Sequence, residues 1–134
     1  MPPLHRETLE IVTEQDVVRT RHRVRQEAVR LGFKLVDQTK LVTAASELAR
    51  NALVYGGGGT MTLETHADGG RTTLQLTFED DGPGIADVEA ALEDGYTTGG
   101  GLGLGLGGSR RLVSEFELVS HPGGGTRIRI ARSV

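Results

Sequence analysis

Near the start of the chain Leu9 and Ile11 alternate with polar neighbours, the period-two signature of a short edge strand. Thr13, followed three residues on by Asp16, is a helix-start signature, and Val17, Val24, Ala28 and Leu31 carry a helical stripe on to Gly32. This predicts a first helix over residues 14–31. A second helix is predicted with Asp37 as its cap, running to Tyr55, where the glycines from Gly56 onward stop it. At about 100° per residue, Leu41, Ala45, Leu48 and Ala52 fall on one narrow face of that helix, with Thr43, Glu47 and Arg50 well away from it. Glu47 and Asn51, four residues apart, stack on one side at the edge of the buried face.

The segments TMTLETHA and RTTLQLTFED, joined across Asp68, Gly69 and Gly70, read as a hairpin of two alternating strands. FELVS and TRIRIAR, joined across HPGGG, read as a second. Leu74, Leu76 and Phe78 share one face of the first hairpin, and Ile128 and Ile130 repeat the pattern in the second. Between the hairpins the chain predicts a short helical stretch near 86–94, a long glycine run and a helix from Leu104 to Ser114. A sheet with one wet face and one helix-covered face follows: α+β, a two-layer sandwich with a mainly antiparallel sheet and helices on one face. No repeat or linker divides the chain, and 134 residues suit a single domain spanning 1–134.

Charge and composition narrow the partners. A formal net charge of −3 with both signs scattered argues against nucleic acid and against a membrane surface. The absence of cysteine closes thiolate and Cys-zinc chemistry. With no apolar run of membrane-spanning length and no apolar signal core in MPPLHRETLE, a cytoplasmic protein is expected. Glycine stands out: 20 residues, where average usage would give roughly 9. They are concentrated at 56–59, 82–84, 99–108 and 123–125. Any one cluster alone also reads as a flexible loop.

Three features carry chemistry. Asp80 shares the parity of Leu74, Leu76 and Phe78, so it points inward, where a carboxylate needs a polar pocket. Gly82, Pro83 and Gly84 follow as a tight turn where backbone can approach a ligand closely, although DDGPG is also ordinary turn chemistry at a strand end. Glu47 and Asn51, about 6 Å apart along a helix axis, suit holding a divalent cation and orienting a hydroxyl; a half-exposed polar stripe would look the same. The string GLGLGLGG leads into a helix whose exposed amides suit phosphate. A dinucleotide fold needs a strand immediately before these glycines, a Walker loop needs a following lysine, and a protein-kinase fold needs HRD and DFG elements; all three are missing.

Taken in order, ELARN at 47–51, DDGPGI at 80–85, GGLGLGLGG at 100–108 and GGGT at 123–126 resemble the N box and the three glycine boxes of the GHKL (Bergerat-fold) ATPases. The resemblance covers nearly the whole chain. VDQTKLVTAASELARNALVY, EDGYTTGGGLGLGLGG and RRLVSEFEL are similar to the RsbT-type serine/threonine switch kinases, relatives of the anti-sigma factor kinases RsbW and SpoIIAB. This resemblance implies ATP and Mg²⁺ as cofactors. It implies that Asn51 coordinates the magnesium and that Glu47 is the general base or hydroxyl-orienting group. Asp80 would accept from the adenine amino group with Thr126 assisting, Gly82 and Gly84 would make room for the base, and Gly101, Gly103, Gly105 and Gly107 would wrap the phosphates. It implies as partners STAS-domain antagonist proteins, phosphorylated on serine, and a PP2C-type phosphatase; the alternative is a sigma factor sequestered by an anti-sigma factor kinase. Arg50 is a surface arginine by default, with γ-phosphate or partner contact as the alternative. His22 falls on the first helix, but its neighbours give no helical hairpin of the kind that carries a histidine kinase's phosphoacceptor; His5, His66 and His121 lie in unrelated segments without metal-ligand spacing.

Overall fold

Alternation along the first segment produces strand β1 (His5–Ile11), whose Leu9 and Ile11 face inward while Thr8 and Glu10 are exposed. The computed structural model describes residues 3–85 and 106–134. Thr13 then caps α1 (Glu14–Leu31): its hydroxyl accepts from the Asp16 N–H, and the Asp16 carboxylate accepts from the Thr13 N–H, a closed capping box. Gly32, at φ 89°, ends the helix in the left-handed region that its lack of a side chain permits.

The turn is shorter than expected, and α2 spans Leu35–Val54 with Lys34 at its N-cap. Asp37 is therefore not the cap. It lies in the first turn and pairs with Arg132 instead, 2.6 Å from a guanidinium nitrogen. The Schellman-type closure of α1, in which the Phe33 N–H reaches the Ala28 carbonyl, sets the chain straight into the next helix, and the Gln38 side chain takes up the Phe33 carbonyl. Leu41, Ala45, Leu48 and Ala52 form the buried face expected of them.

Strands β2 (Gly59–Asp68) and β3 (Arg71–Asp80) form a hairpin across Gly69 and Gly70, both at positive φ as a tight two-residue turn demands. Helix α3 spans Leu106–Arg111 and is followed by the hairpin of β4 (Glu115–Ser120) and β5 (Thr126–Ser133). The expected helix from Leu104 to Ser114 stops early because the Leu112 N–H turns back to the Ser109 carbonyl, and the Ser114 N–H is taken by Ala131 at the head of the β4–β5 pairing. The expected helical stretch near 86–94 lies outside the described residues.

The sheet order is β1-β2-β3-β5-β4, with every described pairing antiparallel. The helices pack on one face, and a single core of Ile11, Val17, Leu41, Leu48, Met61, Leu63, Leu74, Leu76, Phe78 and Ile130 fills the interlayer. The two-layer α+β architecture is as the pattern predicts.

Candidate functional site

One cross-strand row ends the sheet below the C-terminal half of α2. Gly59 pairs with Asp80, Asp80 with Thr126, and Thr126 with Ser120, so their inward positions lie side by side. Two residues inward along the same strands come Phe78 and Ile128, both buried. A pocket opens between this end of the sheet and α2. Leu48, Phe78, Leu106 and Ile128 give it apolar walls, Asn51, Asp80 and Thr126 supply polar groups, and Tyr55, Pro83 and Ile85 close it at the sides. A slot with apolar walls and a few convergent polar groups suits a flat heterocycle.

Asp80 turns inward as its parity requires. Burial pushes its carboxyl above the usual carboxylate range, and neighbouring Asp81 adds to the rise; hydrogen bonds from the backbone N–H groups of Gly82 and Thr126 oppose it without cancelling it. The Gly82 bond measures 2.9 Å. Gly56, which follows the C-cap of α2, packs against this carboxylate so closely that an added Cβ would lie 2.4 Å from Asp80 Cγ. At Gly84, with φ +77°, a Cβ would lie 2.0 Å from the His121 carbonyl oxygen. Glycine is required there by the protein's own close packing, whatever room it also leaves for a ligand.

The loop after β3 is held by the turn between β4 and β5. The Gly123 N–H donates to the Pro83 carbonyl at 2.6 Å. Ser120 Oγ accepts from the Ile85 N–H at 2.7 Å, lies 2.9 Å from Thr126 Oγ1 and donates to the Gly125 carbonyl at 3.1 Å. Ser120, Tyr55, Gly56 and Ile85 were not among the residues that sequence reasoning selected. A signal for Ser120 existed: in S-HPGGG-T the serine and threonine flank the hairpin loop, so they must be the pair that closes it.

Glu47 and Asn51 lie one turn apart on α2, Asn51 at the pocket wall and Glu47 exposed toward solvent. Arg50 is exposed on the same helix, its guanidinium 3.5 Å from Glu14 at the start of α1. Gly107 is buried in the first turn of α3, where Leu106 rather than Gly107 meets the pocket. Gly101, Gly103 and Gly105 lie outside the described residues. His5 pairs with Glu7 and His66 with Glu64, while His22 is exposed on α1 and His121 lies in the β4–β5 turn.

Residues 36–132 match the family described as the histidine kinase-, DNA gyrase B- and HSP90-like ATPases. The chain belongs to this ATPase family. It is 49% identical over 119 residues to the serine/threonine-protein kinase RsbT of Bacillus subtilis (strain 168), covering 89% of this chain and 90% of that protein. Against an anti-sigma F factor of Heyndrickxia coagulans it is 30% identical over 120 residues, covering 84% of this chain and 80% of that one. Among solved structures, the RsbU and RsbW domains of a Mycobacterium tuberculosis protein superpose with a TM-score of 0.63 at 23% identity, over all of this chain and 33% of that one. One from the SiaB–SiaC complex of Pseudomonas aeruginosa gives 0.57 at 15% identity, over 98% of this chain and 91% of that one. The catalytic domain of the histidine kinase ThkA gives 0.53 at 15% identity, over 94% of this chain and 95% of that one. These likenesses establish the fold.

Within this ATPase fold, the donor set around Asn51 bears on magnesium. Among the described residues no group of three or more His, Asp or Glu side chains is arranged to hold a metal ion. Magnesium dehydrates reluctantly and commonly takes few protein ligands beside water and substrate phosphates, so a single amide side chain such as Asn51 at the pocket wall is compatible with it. No helix among the described residues is long and apolar enough to cross a membrane.

Proposed function

We propose that this chain is an ATP-dependent serine/threonine protein kinase, a single ATP-binding domain spanning 1–134, whose acceptor is a serine on a STAS-domain antagonist in a bacterial stress-response partner-switching pathway. The observation that carries the reading is the 49% identity to RsbT across nine-tenths of both chains, together with the inward carboxylate of Asp80 in an apolar slot beside Asn51.

The base of ATP enters the slot between Leu48, Phe78 and Ile128, and its amino group donates to Asp80. Gly82 and Gly84 keep the loop beside the base compact. The phosphates extend toward α2 and are wrapped by Gly101, Gly103, Gly105 and Gly107. A magnesium ion held through Asn51, phosphate oxygens and water would neutralise charge on the phosphates. Glu47, one turn away and solvent-facing, is open to a hydroxyl arriving on another protein. In the transfer, the serine oxygen forms a bond to the γ-phosphorus while the bond from that phosphorus to the β,γ-bridging oxygen breaks; ADP leaves, and the hydroxyl proton passes to the Glu47 carboxylate. Because phosphoryl transfer has a loose transition state, holding the hydroxyl in line contributes as much as removing its proton.

Once released from its STAS partner, the kinase binds and activates a PP2C-type phosphatase, and a cytoplasmic setting completes the reading. The 30% identity to an anti-sigma F factor favours one alternative, in which the chain mainly sequesters a sigma factor. Incubation with labelled ATP, magnesium and candidate STAS proteins, beside pull-downs against sigma factors, separates the two. Transfer of label to a STAS serine is expected; stable capture of a sigma factor with no transfer would overturn the kinase assignment.

A further inference from the structure

Ser120 stands at the edge of the nucleotide slot without lining it, and its hydroxyl makes three contacts within hydrogen-bond distance. A serine hydroxyl has one proton and two lone pairs. The Ile85 N–H at 2.7 Å can only donate, so it occupies one lone pair. The Gly125 carbonyl at 3.1 Å can only accept, so it takes the proton. The remaining partner, Thr126 Oγ1 at 2.9 Å, must then donate to Ser120. This is the one proton arrangement that satisfies all three contacts.

Its consequence lies one strand away. Thr126 is the cross-strand neighbour of Asp80 and shares the pocket with it. With its only proton turned toward Ser120, the Thr126 hydroxyl offers the pocket lone pairs alone. Resting on the ATP-site reading above, we infer that Ser120 is a positioning residue for base selection: it polarises Thr126 so that Asp80 and Thr126 stand side by side as two acceptors. Such a pair accepts both protons of a 6-amino group, whereas a 6-oxo group in the same place offers none and, even where the adjoining ring N1–H pairs with one acceptor, leaves the other acceptor and the carbonyl unpaired. The ligand class is a 6-aminopurine nucleotide, selected against 6-oxopurines.

Replacing Ser120 with alanine frees the Thr126 proton to turn into the pocket and donate to a 6-oxo group. Calorimetric titration with ATP and with inosine triphosphate, on wild type, Ser120→Ala, Thr126→Val and the double variant, measures this. The preference for ATP over inosine triphosphate is expected to fall by about tenfold in Ser120→Ala, the change that one hydrogen bond's worth of discrimination produces. Gain of inosine triphosphate binding is part of that expectation. On the Thr126→Val background Ser120→Ala should leave the preference unchanged. A merely structural serine would weaken both nucleotides together and leave their ratio intact, and that result overturns the inference while sparing the ATP site. If wild type binds neither nucleotide, the ATP-site reading fails with it. Should Ser120→Ala fail to fold, Thr126→Val alone decides: a preserved preference for ATP refutes the acceptor role of Thr126 and with it that of Ser120.

Discussion

Asp80 is placed by nothing more than strand parity, yet its surroundings give it opposed effects on folding and binding. Burial raises its pKa, helped by Asp81. A raised folded-state value means that the ionised form costs stability once the pH exceeds the unfolded value, near 3.9. Asp80→Asn is therefore expected to raise the melting temperature of the nucleotide-free protein modestly while weakening ATP and ADP alike, by about 1.5 to 3 kcal/mol. Scanning calorimetry and titration with both nucleotides check the two halves; unchanged ADP affinity in a folded variant would refute the base contact. Nucleotide affinity of the wild type is likewise expected to fall on acidification at a higher pH than an ordinary aspartate would cause, as the carboxyl gains its proton. Asn51 gives a second test at this scale: Asn51→Ala should lose the magnesium-dependent part of ATP affinity, measured with and without a chelator, while metal-free binding changes little.

Among the elements, α1 shows how far local rules reach. Thr13 and Asp16 were readable as a start signal, and both hydrogen bonds of the capping box are formed. Thr13→Ala is expected to cost about 1 kcal/mol in denaturant unfolding without altering ATP affinity, since Thr13 does not line the slot. The start of α2 was misread for a reason of the same kind: Asp37 looks like a cap in sequence, but its carboxylate is drawn to Arg132, 95 positions away along the chain. The strands were legible because alternation fixes which side chains face inward, and that alternation turned Asp80 toward the helices. The end of α3 was not, because the Ser114 N–H is taken by Ala131 across the β4–β5 register, which no local propensity encodes. For Ser120 only half was legible: its pairing with Thr126 follows from the loop they flank, but its contact to Ile85 is made only once the two glycine turns meet.

Across the whole molecule, one polar cluster ties the helical layer to the sheet. Glu27 is buried on α1; the bidentate hydrogen bond from Arg30 lowers its pKa most, with Arg23 adding to it, and Arg23 also reaches Glu7 on β1. A carboxylate with a lowered folded pKa contributes stability above its unfolded value and loses it as the pH falls through the folded one, so this contribution should fade below about pH 4.5. Glu27→Gln should cost about 2 kcal/mol at neutral pH and less in acid; a cost independent of pH would contradict the charged role. The same layered frame carries the central claim, that Glu47 on α2 acts on a hydroxyl from another protein while Asp80 below it holds the base. Single-turnover transfer of labelled phosphate from ATP to a STAS partner, comparing wild type with Glu47→Ala, tests it most directly. The account predicts near-normal ATP and partner binding with the transfer rate reduced by about 10² to 10⁴; transfer at the wild-type rate would contradict it.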